Sequence, residues 1–150
     1  MAKGLGGGFP IGGILGVAEL FDTFSAGTHG TTFGGNPLAV AVAQSVIDTI
    51  FDEKFLQQVN AQSKYFVEQL TSQLPDKFTV QGKGLMLGLY CDGVDVAPII
   101  TQLDEAGLLT VSAGPKVIRL LPPLTVSKEE IDEAVCILKK VLEKAFLTNS

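Results

Sequence analysis

Three regions of the chain have the chemistry and the surroundings to act on a small molecule. Lys3 stands beside a glycine run, Gly4, Gly6, Gly7 and Gly8. Glycines let a bulky ligand approach the backbone while one amine projects beside it. A lysine that is desolvated in such a place titrates downward and becomes a nucleophile for a carbonyl. The alternative for Lys3 is an ordinary solvated surface lysine. Thr31 and Thr32 lie in a second glycine-rich stretch, residues 27–35, that runs into Asn36-Pro37. Two hydroxyls, exposed backbone N–H groups and a helix start nearby suit a phosphate. The alternative is a capped turn whose threonines satisfy their own backbone. Arg119 is the sole arginine, the other ten basic residues being lysines, and it sits in the apolar run Val117-Ile118-Arg119-Leu120-Leu121. A guanidinium among aliphatic side chains needs a carboxylate or phosphate, because it cannot be discharged. Either a structural salt bridge or recognition of a substrate carboxylate would supply one. A lysine at a glycine loop, a threonine loop for phosphate and a strand arginine together suggest pyridoxal phosphate acting on an amino acid.

Other chemistries fit less well. His29 is the only histidine and has no second ligand type near it, so a turn or packing role is expected and no metal site. Gly82-Lys83 is followed by Gly84, which breaks the phosphate-loop pattern, and Gly88 arrives one place too late for a dinucleotide fingerprint.

The elements that must position these residues fall into two compositional halves. Eleven of the 17 glycines lie in the first 35 residues, so the front reads as loops. Within it, residues 14–17 suit a short buried strand and residues 19–24 one or two helical turns. Asn36 and Pro37 form a strong helix start. The helix they open, to about residue 51, is apolar nearly all round and should be buried on most sides. A longer amphipathic helix follows to about Leu74, with Leu56, Val59, Phe66 and Leu70 on one stripe and Pro75 closing it. Residues 85–91 form a strand, 97–106 a helix stopped by Gly107, and 108–112 and 117–121 two more strands joined at Ala113-Gly114-Pro115. Ser127 and Glu130 have capping-box spacing, and the last helix carries Ile131, Val135, Leu138, Leu142 and Phe146 on one face. This order makes a small α/β layer.

The whole chain is 150 residues, enough for one core. Hydrophobic residues at 46% and charged residues at 18% exclude a disordered chain. A net charge of −5 with no basic cluster makes nucleic acid an unexpected partner. No apolar run is long enough to span a bilayer, so no membrane is expected either. Cys91 and Cys136 show no metal or redox spacing and read as two buried thiols of a cytoplasmic protein.

Four ordered motifs resemble one family. Residues 2–12, Ala-Lys-Gly-Leu-Gly-Gly-Gly-Phe-Pro-Ile-Gly, resemble the cofactor-lysine segment of the class III pyridoxal phosphate aminotransferases. Residues 28–39, with Thr31-Thr32-Phe33-Gly34-Gly35-Asn36-Pro37, are similar to that family's downstream phosphate loop in its acetylornithine form. Residues 81–88 and 118–124 also match, in the right order.

The resemblance implies that Lys3 forms the Schiff base with pyridoxal phosphate. It implies that Thr32 hydrogen-bonds the phosphate of cofactor held mainly by the neighbouring subunit of a homodimer. Arg119 would bind the α-carboxylate of glutamate or 2-oxoglutarate. The implied fold is α/β: residues 1–51 a leftover of the large cofactor domain, residues 52–150 the C-terminal small domain, with helices on a small, mainly antiparallel sheet. The implied reaction moves an amino group from N-acetylornithine or a similar ω-amino donor to 2-oxoglutarate, in arginine biosynthesis. Ornithine, succinyl-diaminopimelate and 4-aminobutyrate are the competing donors. In the family the cofactor lysine comes well past the middle of the chain. The resemblance therefore implies a C-terminal portion, lacking the aspartate at the pyridine nitrogen, the aromatic ring stacked on the cofactor, the first phosphate loop and the glutamate that pairs with Arg119. Such a chain is expected to be inactive alone. A stand-alone phosphate-binding module and a non-catalytic remnant are the other readings.

Overall fold

A computed structural model of the chain describes residues 1–147, with side chains through residue 145. It divides into two compact units, Met1–Leu56 and Gln57–Ser150, with the division just after the first turn of a helix.

In the first unit a 3₁₀ turn, Lys3–Gly6, is followed by α1 (Ala18–Phe21) and α2 (Pro37–Ile50). The start of α2 is set as its sequence requires. Asn36 Oδ1 accepts a hydrogen bond from the Ala39 N–H at 2.9 Å, and Pro37 occupies the first helical position, where its missing donor costs nothing. The burial expected for this helix is not observed. Only Ala39 and Ala43 are buried, while Leu38, Val40 and Phe51 stand exposed. A helix apolar all round needs neighbours on all sides, and this unit supplies them on one. The strand expected at residues 14–17 is also absent: the segment has no regular structure and no ladder partner, and Leu15 is 87% exposed. A strand exists only as part of a ladder, and the first unit contains no other.

The second unit is built on a four-stranded antiparallel sheet. Its strands are β1 (Phe78–Lys83), β2 (Met86–Cys91), β3 (Val111–Ser112) and β4 (Val117–Leu120), in the spatial order β1-β2-β4-β3. The helices are α3 (Glu53–Gln73), shared with the first unit, α4 (Ala97–Glu105) and α5 (Lys128–Leu147). Alternation along the strands sends Leu87, Leu89 and Cys91 of β2 and Ile118 and Leu120 of β4 into the core. There they join Val59, Phe66 and Leu70 of α3, Ile99 and Leu103 of α4, and Ile131, Val135, Leu138 and Leu142 of α5. Leu56, expected on the α3 stripe, is 41% exposed, and the side chain of Phe146 lies outside the described residues.

Local signals fix the ends of these elements. The Ser127 Oγ accepts from the Glu130 N–H at 3.2 Å, and Glu130 Oε2 accepts from the Ser127 N–H at 2.7 Å. This reciprocal pair opens α5 as the spacing predicted. Strand β1 went unforeseen, although Phe78 and Val80 alternate as a strand should. Its register with β2, Gln81 opposite Gly88 and Lys83 opposite Met86, leaves Gly84-Leu85 as a two-residue connection. Gly82 has φ +131°, and a Cβ there would overlap the Met86 carbonyl oxygen. The Gly82-Lys83-Gly84 run is therefore hairpin chemistry. The strand expected at residues 108–112 shortens to Val111–Ser112.

The thiols differ from expectation. Cys91 is buried, and desolvation pushes its pKa up to about 11, with the Lys77 charge opposing the rise. Cys136 is exposed, because it falls on the outer face of α5.

Candidate active site

The first unit lays two of the three candidate regions along α2, the Lys3 turn beside its last turns, at Val46, Ile47 and Ile50, and the threonine loop at its start. The loop bearing Lys3 is closed at its base by the Gly13 N–H donating to the Met1 carbonyl at 2.9 Å. At Gly7 it is pressed against α2, where a Cβ would stand 3.0 Å from Val46 Cγ2; at Gly6 it is pressed against its own far arm, where a Cβ would stand 2.8 Å from Ile11 Cγ2. Glycine at these positions lets the loop close on itself and touch the helix. Lys3 itself has φ +55° and is the only non-glycine residue with a positive φ among those described. That conformation costs a non-glycine residue on the order of 1–2 kcal/mol, and such strain concentrates at functional sites. Lys3 is exposed, and its amine makes no hydrogen bond or ion pair among the described residues. The desolvation anticipated for it is absent, because this unit places nothing over the loop.

The threonine loop folds onto the far arm of the lysine loop, at the start of α2. Thr31, Phe33, Gly34 and Asn36 share an open cavity of about 340 Å³ with Pro10, Ile11 and Gly12 of the lysine loop. Thr31 lines this cavity; Thr32 and Lys3 do not. The alternative of self-satisfied threonines can be judged hydroxyl by hydroxyl. Thr23 Oγ1 donates to the Leu20 carbonyl at 2.7 Å and Thr28 Oγ1 to the Ser25 carbonyl at 2.8 Å. Thr31 and Thr32 make no such bond among the described residues, so both hydroxyls are available. His29 packs its ring 5.0 Å from that of Phe24, the turn-and-packing role expected of it.

Arg119 lies in the second unit and is not embedded among aliphatic side chains. The period of two that buries Ile118 and Leu120 turns Arg119 to the opposite, open face of the sheet. It pairs across the sheet with Gly88 on one side and Val111 on the other. Among the described residues it makes no ion pair, so the structural salt bridge is not its role here. Its guanidinium stands unpaired on the open face of the sheet, a geometry in which a planar fork of donors is free to meet a carboxylate or phosphate.

The family model for class-III aminotransferases matches residues 1–142. The chain belongs to that family. It is 50% identical over 144 residues to acetylornithine aminotransferase of Bacillus subtilis, a match covering 95% of this chain and 37% of the relative. The acetylornithine aminotransferase of Listeria innocua is 45% identical over 150 residues, covering 98% of this chain and 39% of its own length. The chain thus spans about two fifths of the curated relatives it matches. Among solved structures, ornithine aminotransferase of Plasmodium yoelii superposes with a TM-score of 0.81 at 33% identity, over 96% of this chain and 41% of that one. N-acetylornithine aminotransferase of Stenotrophomonas maltophilia gives 0.79 at 33% identity, over 97% and 39%. The small antiparallel sheet with its helices is part of the class-III fold.

Among the described residues no group of three or more histidine, cysteine, aspartate or glutamate side chains is placed to hold a metal ion, and no helix is long and apolar enough to cross a membrane.

Proposed function

We propose that this chain carries the cofactor-lysine loop, the threonine loop and the carboxylate-binding strand of a pyridoxal phosphate-dependent transaminase. The amino donor is N-acetylornithine or a similar ω-amino compound, the acceptor is 2-oxoglutarate, and the setting is cytoplasmic arginine biosynthesis. Residues 1–51 belong with a large cofactor domain and residues 52–150 form the small domain. The observation that carries this reading is the family match, whose span, residues 1–142, includes all four motifs.

The donor set suits the cofactor. It offers one uncommitted primary amine on a strained glycine loop and two uncommitted hydroxyls on the neighbouring loop. When bound, pyridoxal phosphate supplies a carbonyl carbon for an amine and a ring that accepts an electron pair. Lys3 Nζ would hold the cofactor through its carbonyl carbon, and as a free amine would take and hold the proton from the amine-bearing carbon of the substrate. Thr32 Oγ1 donates to the phosphate, in a homodimer to cofactor held mainly by the neighbouring subunit. Arg119 receives the α-carboxylate of 2-oxoglutarate or glutamate by a bidentate contact, which fixes the substrate's orientation before the proton moves.

The chain alone holds the lysine and the arginine but places nothing over either, so it turns over poorly or not at all. Borohydride reduction of the chain with pyridoxal phosphate, followed by digestion and mass mapping, tests the site. Label concentrated on Lys3 over the other nine lysines is the expected result. Label spread evenly, or label on Lys3 that survives a scrambled glycine loop, would refute it. Rapid transamination by the isolated chain would refute the inactivity.

A further inference from the structure

Gly88 has no backbone reason to be glycine. The second unit's other glycines, at 82, 84, 93, 107 and 114, all have positive φ and sit in turns or at tight connections; Gly88 lies in mid-strand β2 with an ordinary extended conformation. Glycine in a strand interior costs stability relative to alanine, and where it occurs it often marks a close approach by a ligand or another backbone. Its surroundings say which. On the open face of the sheet the register aligns Gln81, Gly88, Arg119 and Val111 in one row across four strands. Directly paired residues on one face hold their Cβ atoms about 5 Å apart. A side chain at position 88 would therefore stand beside the Arg119 stem. A Cβ built there meets Val117 Cγ1 at 3.0 Å and the Gln81 carbonyl at 3.9 Å, and nothing of Arg119 within 4 Å. The Val117 methyl borders the β2 backbone at this position, and no atom of Arg119 covers it.

We propose that Gly88 determines which carboxylates reach Arg119, by leaving a flat backbone floor on which a carboxylate with a substituted or extended α-carbon can lie. This rests on the reading of Arg119 as a carboxylate receptor and deepens it. Gly88 touches the bound acid through its backbone surface and does no chemistry. A methyl or isopropyl group in its place occupies the space the acid's carbon chain would fill.

The test uses Arg119 as its own reporter. It is the only arginine, so phenylglyoxal adds to one site that mass spectrometry reads without ambiguity. The labelling rate is measured with and without glutarate, a dicarboxylate of the length of 2-oxoglutarate. In the unsubstituted chain glutarate is expected to slow labelling to saturation. In Gly88→Val the rate without glutarate should stay within about twofold, while the protection constant weakens about tenfold, the scale of one or two badly placed methyl groups in a binding pocket. Gly88→Ala should weaken it less and in the same direction, and serves if the valine variant does not fold. Adding Val117→Ala to Gly88→Ala removes the 3.0 Å contact while keeping the new methyl. Protection should stay weak in that double variant. Its restoration would mean that displacement of Val117 was the cause, and would overturn the proposal. Equal protection in the Gly88 variants and the unsubstituted chain would overturn it as well. Failure of glutarate to protect even the unsubstituted chain would instead overturn the reading of Arg119, and this proposal with it.

Discussion

Helices α2 and α5 start the same way and end in different circumstances. Each is opened by a side chain that caps its first turn, Asn36 for α2 and Ser127 with Glu130 for α5. Each is rich in aliphatic residues. Yet α5 buries Ile131, Val135, Leu138 and Leu142 against the sheet and its companion helices, whereas α2 buries two alanines. The two units of the chain differ in the same sense. Buried apolar side chains in the first unit are Ala39 and Ala43, and every other such residue belongs to the second. Local signals build helices in both; only the second unit closes a core around them. Since each fully buried large aliphatic side chain contributes roughly 1.5–3 kcal/mol, the second unit owns nearly all the hydrophobic stabilisation.

The sharpest way to break this comparison is amide hydrogen exchange. Amides of β2 and β4 and of the middle of α3 and α5 should exchange only through opening of the whole second unit, on the order of 5 kcal/mol or more above the free rate. Amides of residues 1–35 should exchange close to the free rate. Equal protection across the two units would mean that the first has a partner surface in solution, and the difference between them would vanish.

A smaller effect comes from truncating one leucine in each unit. Leu138, fully buried, should cost about 3 kcal/mol on Leu138→Ala. Leu15, 87% exposed, should change stability by no more than about 0.5 kcal/mol on Leu15→Ala, as read by denaturant midpoints. A large penalty at Leu15 would show that the exposed apolar face of the first unit is covered in solution.

The same contrast explains what could be read from the sequence. Elements marked by local chemistry were legible: Asn36-Pro37, the Ser127–Glu130 box and the Gly107 stop all rest on groups within one turn of each other. The burial of α2 and a strand at residues 14–17 were not, since both depend on distant neighbours that hydrophobicity invites but cannot supply. Strand β1 was hidden because half of its residues face the open side of the sheet and dilute the apolar signal. At the site, Lys3 and the threonine loop were visible through their glycines. Arg119 stood out as the sole arginine, but its surroundings were misjudged. Flanking aliphatic residues in a strand point away from it, to the other face, and so say nothing of its own environment. The place of Gly88 needs the cross-strand register, which no single segment contains.

The smallest expected effects compare the two caps. Ser127→Ala should lower the stability of the second unit by about 1 kcal/mol, visible in the global melting transition. Asn36→Ala removes a cap of similar strength, but its loss should appear as reduced helicity with no shift in that transition, because α2 lies outside the core that melts. The α5 cap also carries a pH signature. Hydrogen bonds from the Ser127 backbone N–H and then from its hydroxyl hold the Glu130 carboxyl below the usual glutamate value. A carboxyl whose pKa is lowered by folding stabilises the fold above its unfolded value, and that stability is lost as pH falls through the folded one. Melting temperature should therefore drop as pH falls below about 4.3, the ordinary glutamate value. Glu130→Gln should flatten that part of the profile while keeping an acceptor for the Ser127 N–H. The profile of Asn36→Ala should follow that of the unsubstituted chain throughout, since the α2 cap contains no titrating group; a flattened profile there would tie α2 to the cooperative core after all.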